Sequence, residues 1–88
     1  MPVIEQRRKA ERLRNLWNNY MSVPLCVEQM MTWLDSFEPD VIIYAIKQTA
    51  RKRALMQGNM TLEATLAYAS ATMLHETERK LQREGVEA

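Results

Sequence analysis

The stretch Pro39-Asp40-Val41-Ile42-Ile43-Tyr44-Ala45-Ile46-Lys47-Gln48-Thr49-Ala50-Arg51-Lys52-Arg53 decides the fold. Three consecutive β-branched residues, Val41 to Ile43, suit a strand. Two features pull the stretch toward a helix. Pro39 fits a first helical position, where its missing N–H costs nothing, and Ala45 to Arg51 continues the run with helix-compatible residues. A lone strand would also find no partner in the chain. Apolar residues on nearly every side of the helix start predict a central position in a bundle. The predicted helix covers about 39–56 and closes at Gln57-Gly58-Asn59, with Gly58 as the natural stop.

Working outward, a helix is predicted from about Ile4 to Met21. Its apolar residues Ala10, Leu13, Leu16, Trp17 and Tyr20 fall on one face. Ser22-Val23-Pro24 breaks it, and Pro24 is read as the opening of the next helix, about 24–37. There Val27, Met30, Met31 and Leu34 form a core stripe that Cys26, Trp33 and Phe37 widen. Thr61 is a candidate N-cap for the last helix, with Glu63 in its first turn. That helix is predicted to reach about Glu84, stopped by Gly85, and Leu62, Leu66, Ala69, Met73, Thr77 and Leu81 recur along it. The expected fold is all-α: a compact bundle of about four helices in a single domain, with 1–21 as a basic N-terminal helix and 24–85 as the core.

Composition agrees. At 88 residues, 47% hydrophobic and 26% charged, the chain has the make-up of one globular domain. Two glycines and three prolines are too few for the turns of a sandwich or barrel. No apolar run is long enough to span a bilayer, and the charged start MPVIEQRRKAER is unlike a secretory signal, so a cytoplasmic protein is expected. With one cysteine and one histidine, an intrachain disulfide and the usual structural zinc sites are excluded.

The net charge of +1 hides four blocks. Residues 1–21 carry Arg7, Arg8, Lys9, Arg12 and Arg14 against Glu5 and Glu11. Residues 22–46 carry Glu28, Asp35, Glu38 and Asp40 and no base. Lys47, Arg51, Lys52 and Arg53 follow with no acid, and acids again outnumber bases from 59 onward. Basic blocks neutralise phosphates, the term that supplies most non-specific nucleic-acid affinity; they also occur as ordinary solvated helix faces. The acidic block suits helix capping better than metal binding, and it also suits a basic protein partner at Trp33, Asp35, Glu38 and Asp40.

No catalytic constellation emerges. Gly58 and Gly85 make no phosphate loop, His75-Glu76 lacks the second histidine of a zincin helix, and Glu76 and Glu78 diverge on a helix. The expectation is a non-enzyme with no cofactor and no metal. Cys26 reads as a small buried apolar group, and the helically spaced methionines read as core. Trp17 and Tyr20 read as core, whereas Trp33, Tyr44 and Tyr68 lie nearer the stripe edges, where stacking on bases is open to them.

Three stretches carry a family resemblance: Val27-Glu28-Gln29-Met30-Met31-Thr32-Trp33-Leu34-Asp35-Ser36-Phe37-Glu38-Pro39, then Asp40 to Ala50, then Tyr68-Ala69-Ser70-Ala71-Thr72-Met73. Together they resemble the C-terminal domain of DnaD-like primosome and phage replication proteins. The resemblance implies a helical domain that contacts DNA and replication proteins. Those contacts would fall here on Lys47, Arg51, Lys52, Arg53, Tyr68 and Arg79. A second reading is a small helical adaptor or inhibitor, phage-encoded, that acts on a host protein through the acidic block without binding nucleic acid. Self-association is expected too, with the N-terminal helix as a candidate for pairing between copies.

Overall fold

The computed structural model describes residues 3–21, 23–57 and 59–87. Four helices run in order: α1 Val3–Tyr20, α2 Val27–Ser36, α3 Pro39–Leu55 and α4 Leu62–Glu87. α1 and α2 form an antiparallel hairpin. α3 is the centre, packed against α1 and α2 on one side and most extensively against α4 on the other. The N-terminal helix thus folds back on its own bundle. The body is flat, 42 × 32 × 17 Å, and the short dimension is that of two helix layers.

The core joins Ala10, Leu13 and Trp17 of α1 to Met30 and Trp33 of α2, Ile42, Ala45 and Ile46 of α3, and Ala69 and Met73 of α4. Trp17 and Trp33 meet at its centre with ring centroids 5.6 Å apart and planes tilted by 44°. Two buried threonines are satisfied locally: Thr49 donates to the Ala45 carbonyl (2.7 Å) and Thr65 to the Thr61 carbonyl (2.8 Å).

Several boundaries follow from local chemistry. Glu38 is extended (φ −71°, ψ 149°), as a residue before proline prefers, and Pro39 occupies the first turn of α3. Thr61 caps α4, its Oγ1 accepting from the Ala64 N–H at 3.0 Å. Other expectations are corrected. Pro24 does not open α2, which starts three residues later. Trp17 Nε1 donates to the Val23 carbonyl at 3.0 Å, and Leu25 is buried, so 23–26 forms a connection pinned to the core. Cys26 is consequently the N-cap of α2, extended and exposed. Tyr20 is exposed because α1 ends there and the chain sends Met21 and Leu25 into the core in its place.

At the end of α3 the left-handed residue is Gln57 (φ 54°), one position before the predicted stop. Gly58 itself, like Ser22, lies outside the described residues. Gly85 does not stop α4, whose backbone continues to Glu87. A single glycine weakens a helix by only about 1 kcal/mol, so a long helix absorbs it.

Candidate nucleic-acid interface

α3 carries opposite charge at its two ends. Asp40 sits in its first turn, and Lys52 and Arg53 in its last, each sign matched to the helix dipole. Contacts with α4 fix both ends. At the acidic end Lys80 Nζ donates to Glu38 Oε2 (2.8 Å) and Asp40 Oδ2 (2.7 Å). At the basic end Arg53 Nη1 donates to Thr65 Oγ1 (2.7 Å) and the Met60 carbonyl (3.3 Å). These contacts make α3 and α4 antiparallel with a definite register. The turn bearing Arg51 lies level with Tyr68, and that bearing Lys47 lies level with Thr72.

The six residues expected at the interface divide accordingly. Lys47, Arg51 and Lys52 are exposed and form no salt bridge among the described residues. Arg53 is half-buried, and its guanidinium is occupied in holding the α3–α4 connection. Tyr68, half-buried, stands level with the cluster. Arg79 does not join it. It lies 11 residues along α4 from Tyr68, about 16 Å of helix rise, and pairs with Glu76 at 3.6 Å.

Residues outside the predicted set join the cluster. Tyr44, Lys47, Arg51 and Leu55 recur at i, i+3, i+7 and i+11 and are all exposed, Leu55 at 76%. Tyr44 was legible as a stripe-edge ring open to stacking, whereas nothing in the sequence singled out Leu55. The solvent face of α3 is therefore a stripe of two cations flanked by a phenol ring and an aliphatic side chain.

The acidic corner is different. Trp33, expected at a partner-facing surface, is buried against Trp17 and offers no ring to a ligand. Asp35 accepts a hydrogen bond from Gln6 Nε2 of α1, and Glu38 and Asp40 are bridged by Lys80. The Lys80 ammonium holds the Asp40 carboxyl below its ordinary range, chiefly by direct hydrogen bonding. The two carboxylates in turn raise the pKa of Lys80. These acids serve the junctions between helices.

Among the described residues no group of three or more His, Cys, Asp or Glu side chains is placed to hold a metal. His75 and Cys26 are exposed and far apart in sequence, without a hydrogen-bonded partner among the described residues. Among the described residues no helix is long and apolar enough to cross a membrane. Comparison of the chain with protein-family models, curated proteins and solved structures finds no match.

Proposed function

We propose that the chain is a non-enzymatic helical module of the replication-initiation type that docks on DNA through the solvent face and C-terminal end of α3. One observation carries this reading. Lys47, Arg51 and Lys52 are exposed without an ion-pair partner among the described residues, whereas Glu38 and Asp40 at the other end of the helix are bridged by Lys80. From Lys47 to Arg53 α3 carries four bases and no acid, a local excess of positive charge although the net charge is only +1.

The mechanism is contact between cations and phosphates with release of counterions, and no covalent step. Tyr44, on the same stripe, and Tyr68, level with Arg51, supply ring faces for an unpaired base. The DnaD-like pattern of 27–50 and 68–73 supports the same reading, with a replication protein as a second partner.

Titrating a short oligonucleotide into isotopically labelled protein tests the placement. The account expects amide shifts concentrated on 44–56 and around Tyr68. Shifts confined to α1 or to the 35–40 corner contradict it.

A further inference from the structure

Two cavities adjoin where α1 faces the α2–α3 corner. One, of about 210 Å³, is walled by Lys9, Arg12 and Leu13 of α1 and by Pro39 of α3. The other, of about 460 Å³, shares Lys9 and Pro39 with it and continues past Gln6 and Phe37 to Asp35 and Glu38. With two walls in common they form one groove, and Leu13, Phe37 and Pro39 supply its apolar lining.

Its two ends differ in charge. Lys9 and Arg12 stand three residues apart on α1 at one end. Neither forms a salt bridge among the described residues. At the other end Asp35 accepts from Gln6 through Oδ1, and Glu38 accepts from Lys80 through Oε2. Both acids are exposed, and the second oxygen of each has no hydrogen-bond partner among the described residues. From Gln6, which holds Asp35, to Arg12 the helix rises about 9 Å. An extended chain covers that length in about three residues.

The mixture of signs selects the occupant. A nucleic-acid strand is negative along its whole length and would set phosphates against Asp35 and Glu38. A single small anion would use Lys9 and Arg12 and leave the apolar walls and the acids unmatched. We infer that the groove takes an extended peptide segment of a partner protein. An acidic side chain of that segment pairs with Lys9 and Arg12, and a basic side chain about two or three residues away pairs with Asp35 and Glu38. An apolar side chain between them rests on Pro39 and Phe37. Electrostatic complementarity of this kind fixes the register of the segment as well as its partner. The inference stands independently of the DNA reading, since Lys47, Arg51 and Lys52 line neither cavity.

Selection of random hexapeptides displayed on phage against the immobilised full chain tests it. Anisotropy of the selected peptides, labelled and capped at both ends, then measures affinity. The enriched sequences should carry an acid and a base about two or three residues apart, with an apolar residue between them. Lys9→Ala combined with Arg12→Ala should weaken their binding about tenfold or more while the helical circular dichroism stays unchanged. Lys9→Glu combined with Arg12→Glu should redirect the selection to peptides with a base in place of the acid. Absence of enrichment overturns the inference, as does enrichment of sequences that lack the acid–base spacing. So does peptide binding that the alanine pair leaves intact, a selection that the glutamate pair leaves unchanged, or displacement of the peptide by an oligonucleotide.

Discussion

Trp17 does two things for the fold. Its ring is fully buried against Trp33, and its Nε1–H fixes the α1–α2 connection by donating to the Val23 carbonyl. Trp17→Phe should cost about 1–3 kcal/mol, because the ring largely remains but the Val23 carbonyl loses its partner; Trp17→Ala should cost about 3–5 kcal/mol. Chemical denaturation checks both. The arginines and lysine at the end of α3 separate in the same assay. Arg53→Ala should destabilise by about 1–3 kcal/mol, since Thr65 is buried and loses its guanidinium donor. Arg51→Ala and Lys52→Ala, both at exposed positions, should stay within about 0.5 kcal/mol of the parent. The sequence could not distinguish these three neighbours, because only the α3–α4 register shows which of them faces Thr65. The burial of Trp33 escaped it for a similar reason, since it lies near the edge of an apolar stripe and the neighbouring helix decides the outcome. Tyr20 lies on its stripe, but α1 ends there and Met21 and Leu25 enter the core in its place.

At the scale of elements, the four helices and the Pro39 and Thr61 starts were legible because each start has its own local chemistry. The start of α2 was not. Pro24 is compatible with a helix, but tertiary contacts of Val23 and Leu25 hold the segment extended. The end of α3 yields a direct test. Gln57 takes a left-handed conformation that costs a residue with a Cβ about 1 kcal/mol. Gln57→Gly should therefore stabilise the fold by up to about 1 kcal/mol, read as a raised denaturation midpoint. At the other end, the Lys80 bridge makes stability depend on pH with a definite sign. The Asp40 pKa is lowered in the folded state, so its contribution is present above the unfolded value and is lost as pH falls through the folded one. The Lys80 pKa is raised, so its contribution is present below the unfolded value and is lost as pH rises through the folded one. Lys80→Met should thus lower Tm modestly near neutrality, the groups being solvent-screened, and the difference should shrink as pH falls through the lowered Asp40 pKa. A deficit that persists unchanged in acid would mean that the lysine stem, not its charge, supports the α3–α4 contact.

For the whole molecule, a nearly neutral chain conceals a polarised one. Asp35, Glu38 and Asp40 gather where helices meet and are engaged by Gln6 and Lys80, while Lys47, Arg51 and Lys52, from the middle of α3 toward its C-terminal end, are left exposed. The blocks of charge were readable from the sequence; that the acidic corner is engaged by Lys80 was not, since that depends on Lys80 reaching back across 40 residues to Asp40. Exposed cations without a salt bridge among the described residues remain on α3 and, at Arg8 and Arg12, on α1. The central claim is that the exposed cations of α3 bind phosphates. Fluorescence anisotropy of labelled single- and double-stranded oligonucleotides at about 50 and about 200 mM salt tests it most directly. With three cations engaged, affinity for the duplex should fall about 40-fold between the two conditions, and substituting Lys47, Arg51 and Lys52 together by alanine should remove both the binding and the salt dependence. Absence of binding at the lower salt with protein at about 10⁻⁴ M, or binding that the triple substitution leaves intact, would contradict the account.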